Sequence, residues 1–211
     1  DLSRFTNITN LSLDEGSPSS ITFKKSSSMT SFSIGSLSHP CQLYIYDVPS
    51  ITNYSLAYNY ATLDISINRS DITVRNFNYY NNTDTSILDM SMFIPSLYSA
   101  TINIFENPDL QTVIWPAKWG LFTSSGSKWS FLKEINVYAN GLDQTTVDDL
   151  FSSLNTFYTG IDVIVSNLSV YCASLGYAQA EPTDGYSNSD ILNIQSIFTS
   201  KGKTFSVDLG Y

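Results

Sequence analysis

The sequence predicts an α/β fold rich in strand: a right-handed solenoid of short parallel strands that ends in a β-α-β-α-β C-terminal unit. Three observations predict it. Short apolar pairs alternate with polar residues through the first half, early on at a spacing of about 10 or 11 residues. Each pair runs into a polar or turn-forming stretch. Beyond Trp115 the apolar period lengthens from two to roughly 3.6, the change from strand to helix.

The pairs are Leu11/Leu13, Ile21/Phe23, Phe32/Ile34 and Leu43/Ile45, then, after a less regular segment, Leu63, Ile65 and Ile67. Leu88/Met90, Ile102/Ile104 and Val113/Trp115 continue the series. The phrases TSFSIGS, CQLYIYDVPS, ATLDISIN and ATINIFENPDL each set an alternating pair before a polar bend. A β-sandwich is the competing architecture, since it also spaces short strands by turns. Sandwich strands usually run to about five or six residues and close in two-residue hairpins. These segments are mostly shorter and carry no such turns. Residues 1–116 therefore read as a degenerate-repeat solenoid, and 117–211 as the C-terminal α/β repeat or capping unit of one continuous array.

The segment WPAKWGLFTSSGSKW, Trp115 to Trp129, holds all three tryptophans. Indoles combine a flat apolar face with an N–H donor and suit sugar stacking. The preferred reading is that they plug the seam between the strand-rich stack and the helical end. Ile135 and Val137 form a strand that turns at Asn140-Gly141. Asp143 is placed to cap a helix, whose face is Val147, Leu150, Phe151, Leu154 and Phe157. Asp148 and Asp149 fall in or near its first turn, where the helix dipole favours negative charge. Gly160 is placed to end it in a left-handed conformation. Ile161, Val163 and Val165 read as the next strand, and 169–187 as a long, partly irregular connection. Asn188 or Ser189 caps a second helix, faced by Ile191, Ile194, Ile197 and Phe198 and ending at Gly202. Phe205, Val207 and Leu209 form the last strand. Crossovers of this length imply parallel strands and right-handed connections.

These C-terminal residues resemble a known family. The segments NVYANGLDQTTVDDLFSSL, IDVIVSNL and ILNIQSIFTSKGKTFSV look like the end of leucine-rich-repeat-like (BspA-type) proteins of bacterial surfaces and phage tail or virion fibres. INIFENPDLQTVIWP is similar to a degenerate repeat of that family, with Asn107 at the bend and Leu110 turning inward. The likeness covers about the last half of the chain, strongest over 102–209. It implies a curved parallel sheet used for binding or scaffolding, without catalysis. The chain departs from well-formed repeats in having few leucines and many Tyr and Ile.

Composition bounds the function. Charged residues are 14% of the chain, against about 25% in an ordinary soluble domain. Ser, Thr, Asn and Tyr fill the surface instead, which suits exported proteins and virion parts. A net charge of −9 with no basic run argues against a nucleic-acid partner. No signal peptide, apolar spanning run or lipidation motif is present, so no membrane insertion is expected. The chain begins with Asp1, which suits a processed product. Cys41 and Cys172 read as two free buried thiols rather than a bridge. N-x-S/T sequons stand at Asn7, Asn10, Asn53, Asn68, Asn81 and Asn167, a frequency close to chance in a chain this rich in Asn and hydroxyls.

Catalysis has little material. The sole histidine, His39, sits beside Pro40 in a polar bend, and no G-x-S-x-G elbow accompanies it. His/Cys metal sites are excluded by number, and no D-x-D-x-D-G calcium loop exists. Asp143, Asp148 and Asp149 are explained by capping and dipole compensation. The turn ANGLDQ has one glycine and opens an acidic helix start, which would repel a pyrophosphate. No cofactor and no metal are expected. Two acids could still converge for glycoside cleavage, so a polysaccharide-degrading fibre tip is the alternative function.

The expected function is a non-enzymatic structural or binding module of a virion, tail fibre or cell surface. Its partners would be neighbouring subunits, or a host glycan or protein receptor. Tyr is enriched at interfaces because it gives large contact area at low entropy cost. The candidate surface is Tyr44, Tyr46, Tyr58, Tyr60, Tyr79 and Tyr80, with Tyr54 among the same exposed set, and Trp115, Trp119 and Trp129. In LYIYD, Tyr44 and Tyr46 share one face and Leu43 and Ile45 the other. Either the tyrosines form an outward ladder or both faces are partly covered.

Overall fold

The fold is that of a computed structural model describing residues 9–16, 20–24, 30–37, 41–46, 53–57, 63–67, 72–83, 85–91, 93–95 and 98–210; for 14–16, 20–24, 36–37, 41–46, 57, 63–67 and 72–73 only the strand path is described. The chain lays down β1 (Asn10–Gly16), β2 (Ser20–Lys24), β3 (Ser31–Leu37), β4 (Cys41–Tyr46), β5 (Asn53–Ala57) and β6 (Leu63–Ile67). There follow β7 (Ile72–Thr73), β8 (Asn76–Tyr80), β9 (Ile87–Asp89), β10 (Phe93–Ile94), β11 (Ala100–Phe105) and β12 (Thr112–Ile114). The remainder is β13 (Leu121–Phe122), β14 (Lys128–Ser130), β15 (Leu132–Tyr138), α1 (Gln144–Tyr158), β16 (Val163–Ile164), β17 (Leu168–Ala173), α2 (Ser189–Ser200) and β18 (Phe205–Asp208).

The protein is α/β, and one sheet organises it. Eight strands run in the order β1-β3-β5-β8-β11-β15-β17-β18. Every pairing in it is parallel. The order follows the chain without reversal, so each new strand is laid beside the last. The strands between them in the chain pair separately: β2-β4-β6 form a second parallel sheet, and β7-β10 and β9-β12 are parallel pairs. From β15 onward helices take the place of most of these connecting strands, and α1 packs on α2.

The alternation of apolar and polar residues sets the main sheet's two faces. Phe32, Ile34, Tyr54, Leu56, Phe77 and Tyr79 point inward and are buried, as are Ile102, Ile104, Ile135 and Val137 further on. They belong to one continuous core that also takes in the helix residues Leu150, Phe151, Leu154, Ile191, Ile194 and Phe198. Phe93 closes over Tyr54 edge-on, at 5.3 Å between ring centres.

A buried row of amides holds the bends that follow the strands. Asn107 Oδ1 accepts from the Asn82 backbone N–H (3.0 Å) and from Asn82 Nδ2 (3.1 Å). Asn107 Nδ2 donates to Asn140 Oδ1 (2.8 Å) and to the carbonyls of Phe105 (2.9 Å) and Tyr79 (3.2 Å). Asn140 in turn donates to Gln179 Oε1 (3.0 Å) and the Ile104 carbonyl (2.9 Å). Gln179 Nε2 finishes the row on the Val137 carbonyl at 2.9 Å. All four side chains are buried, so each satisfies backbone that water cannot reach. The residue before each asparagine, Asn81, Glu106 and Ala139, has positive φ.

Local expectations hold at the caps. Asp143 caps α1, its Oδ1 accepting from Thr146 N at 2.7 Å. Asn188, not Ser189, caps α2, accepting from Asp190 N and Ile191 N. Gly160 (φ 71°) and Gly202 (φ 67°) follow the helices in the left-handed region. Asp148 lies past the first turn of α1, and its two oxygens accept from the Thr183 backbone N–H (2.7 Å) and hydroxyl (2.6 Å). It anchors a loop rather than compensating a dipole.

One strand is displaced from its expected position. Ile161 to Val165 supply only the two-residue β16, paired with β14 on the flank. The central strand is β17, within the stretch read as an irregular connection. The reason lies in burial: Ile161 and Ile164 fill the core as separate plugs, whereas Leu168, Val170 and Cys172 alternate inward along a true strand. The β-α-β-α-β order survives with its middle strand moved. β5 occupies the segment that looked irregular, and β8 lies where no apolar pair was read between Ile67 and Leu88, because their inward residues are mostly aromatic (Tyr54, Phe77, Tyr79) rather than aliphatic. Cys172 is a free buried thiol. The thiol of Cys41, the whole of His39 and the sequons at Asn7 and Asn68 lie outside the described residues.

Candidate binding surface

The expected aromatic surface dissolves on inspection of burial. Tyr54 and Tyr79 are 2% and 1% exposed, Trp115 is 7% and Trp119 is 0%. These four are core and offer no surface. The Trp115 indole donates to the Thr146 carbonyl at 2.8 Å, and the Trp119 indole to Ser153 Oγ at 2.7 Å. They plug the junction of β12 and α1, as the seam reading required. Trp129 is half-buried in β14, beside Phe131. Tyr80 is half-buried on the open face of the main sheet. Tyr58 and Tyr60 lie outside the described residues, and of Tyr44 and Tyr46 only the strand β4 is described.

What the sheet brings together instead are three rows on its outer face, fixed by register. The first runs Asn10, Ser31, Asn53, Asn76, Thr101, Glu134, Ser169, Ser206. The second, two residues along, runs Ser12, Ser33, Ser55, Asn78, Asn103, Asn136, Tyr171, Asp208. Neither contains a Lys or Arg. From β1 to β11 both rows are uncharged.

Neighbouring side chains in a row tie one another down. Thr101 Oγ1 donates to Asn76 Oδ1 (2.8 Å), and Asn76 Nδ2 to Asn53 Oδ1 (2.8 Å). In the second row Asn136 Nδ2 donates to Asn103 Oδ1, and Asn103 Nδ2 to Asn78 Oδ1, both at 2.7 Å. In-register parallel strands stand about 4.8 Å apart, which is why like side chains can form such ladders.

The third row is aromatic. Tyr80, Phe105 and Tyr138 stack nearly parallel, with ring centres 5.0 Å and 4.9 Å apart and interplanar angles of 12° and 4°. Tyr171 leans onto Tyr138 at 5.1 Å and 52°. Phe105 has both faces covered by its neighbours, so the column presents ring edges outward. Tyr138 has its pKa raised, first by burial and then by the Glu106 carboxylate and Tyr171.

A shallow trough of about 360 Å³ lies between the two polar rows where they cross β1, β3, β5, β8 and β11. A second depression near β15, β17 and β18 is lined by Glu134, Asn136, Tyr171 and Asp208 among others. Among the described residues, no group of three or more His, Cys, Asp or Glu is placed to hold a metal ion, and no helix is long and apolar enough to cross a membrane.

The polar rows were visible in the sequence under another guise. NLS, SFS, NYS, NFN, TIN, EIN, SVY and SVD are one triplet, polar-apolar-polar, repeated at each central strand. Attention to the apolar middle residue hides its flanks. The sequons at Asn10 and Asn53 are two copies of this triplet read as something else. No family model, curated protein or solved structure matches the chain.

Proposed function

We propose that the chain is a leucine-rich-repeat-like solenoid serving as a non-enzymatic binding or structural module of a phage virion, tail fibre or bacterial surface. The carrying observation is the ordered, uncharged ladder of amides and hydroxyls on the outer face of the main sheet. A surface of short, mutually restrained polar side chains loses little entropy on binding. It offers hydrogen bonds along its whole length and no acid–base pair poised for chemistry. The solenoid reading is supported by strand order, by constant register and by the buried amide row that repeats at successive bends. The face would meet a host receptor, a glycan or a neighbouring subunit.

Immunogold electron microscopy with antibody to the chain tests the placement. Label on virions or on cell exteriors is expected, and label confined to the cytoplasm would overturn it. Incubation with surface polysaccharide tests the absence of catalysis. No new reducing ends are expected, and their release would move the chain to the polysaccharide-degrading class.

A further inference from the structure

We propose that the trough across β1, β3, β5, β8 and β11 takes a neutral linear polysaccharide, laid across the strands with roughly one sugar per strand spacing of about 4.8 Å. This rests on the reading of the polar face as the contact surface and names its ligand class.

Five properties of the trough carry the assignment. Its walls are the two polar rows and its floor is the main chain at Leu11, Phe32 and Tyr54 between them, whose side chains pack on the core. A ligand there lies perpendicular to the strands, over about 19 Å for five strands at the usual separation. Its walls hold Asn, Ser and Thr and no charge, so sulfated or uronate-bearing chains and nucleic acids find no cation. Its backbone is already paired on both sides from β3 to β11, so a peptide lying on the face gains no strand addition. It also lacks the exposed apolar anchors that seat an amphipathic helix.

The ladders supply donors and acceptors at a fixed interval. A side-chain amide has two N–H donors and two acceptor lone pairs. Asn76 uses one N–H on Asn53 and one lone pair on Thr101. Asn103 uses one N–H on Asn78 and one lone pair on Asn136. Each retains an N–H and a lone pair for a ligand, in an orientation already set. A hydroxyl-bearing polymer whose ring length is close to the strand spacing can meet such pairs repeatedly. An extended peptide, at roughly 3.3–3.6 Å per residue, falls out of step.

Affinity electrophoresis of the 211-residue chain tests the assignment, using gels that contain neutral linear glucans, mannans, xylans or galactans and parallel gels with uronate or sulfated polymers. Retardation by at least one neutral polymer is expected, unchanged between low and high salt. The double variant Asn76→Ala/Asn103→Ala should weaken it about tenfold, from two lost hydrogen-bonding amides. Ser33→Tyr, which fills the trough from a different strand, should abolish it. Far-UV circular dichroism confirms that each variant is folded. Retardation by no neutral polymer, or only by acidic polymers in a salt-sensitive way, would overturn the assignment. Capture of a protein partner that both variants abolish would also overturn it, while leaving the face as the contact surface. Binding of any kind that neither variant touches would remove the face as well.

Discussion

Asn107→Ala severs the buried amide row at its centre. The side chain is 1% exposed and makes five hydrogen bonds through its two polar atoms. Some partners keep another: Asn82 Nδ2 still reaches the Leu56 carbonyl, and Asn140 Oδ1 still accepts from the Asn107 backbone N–H. The Asn82 backbone N–H loses this acceptor and the Tyr79 carbonyl loses this donor, while the Phe105 carbonyl keeps the Asn81 N–H. Five buried hydrogen bonds are removed, and at roughly 0.5–1.5 kcal/mol each the expected loss is about 2.5–7.5 kcal/mol. That is a large share of the roughly 5–15 kcal/mol by which domains are stable. Urea unfolding followed by fluorescence of the buried Trp115 and Trp119 measures it as a lower midpoint. Asn103→Ala, in the outer ladder where water can replace each bond, should cost under about 1 kcal/mol. Equal effects of the two substitutions would refute the claim that the inner row carries backbone water cannot serve.

Three further outcomes follow from local geometry. A Cβ on Gly141 would stand 2.3 Å from the Pro108 carbonyl oxygen, so Gly141→Ala should lower the stability read from urea unfolding by at least about 2 kcal/mol, whereas Gly126→Ala, in open space at φ 85°, should cost about 1 kcal/mol. Removing the α1 cap with Asp143→Ala should cost about 1 kcal/mol, and Asp143→Asn should restore most of it, in the same assay. Burial pushes the Cys172 thiol from 9.0 up to about 12 and the Tyr79 hydroxyl from 10.0 up to about 12. Both groups stay neutral in the folded chain while their unfolded counterparts ionise. Stability is therefore full below pH 9 and falls as pH rises from 9 towards 12, and a urea midpoint flat across that range would contradict it.

The sequence made the β-rich α/β class legible because alternation is a direct consequence of strand geometry, and Leu11/Leu13, Phe32/Ile34 and Ile102/Ile104 carry it plainly. The α1 cap and face were readable for the same reason, since Asp143 and Val147 to Phe157 depend on local spacing alone. β17 was harder, because Ile161, Val163 and Val165 alternate as well as Leu168, Val170 and Cys172 do. Only tertiary packing decides which set joins the sheet. The surface failed on tyrosine: Tyr54 and Tyr79 are amphipathic, and nothing local says that their rings replace leucines inside. The Tyr79 hydroxyl accordingly ends buried, with no hydrogen-bond partner within normal geometry among the described residues, although Thr85 lies beside it. The ladder residues were in plain view, but their significance depends on register between distant strands, which no single segment encodes.

The number of residues needed to return to the same row grows along the chain. It is 22 from Ser31 to Asn53, 23 to Asn76, 25 to Thr101, 33 between Asn103 and Asn136, and 37 between Ser169 and Ser206. The added residues go into the connections, where helices replace strands. Strands stack at about 4.8 Å, whereas packed helix axes need about 8–10 Å. Each helical connection therefore asks for more width than the strand it serves, a mismatch that is absent where the connection is itself a strand.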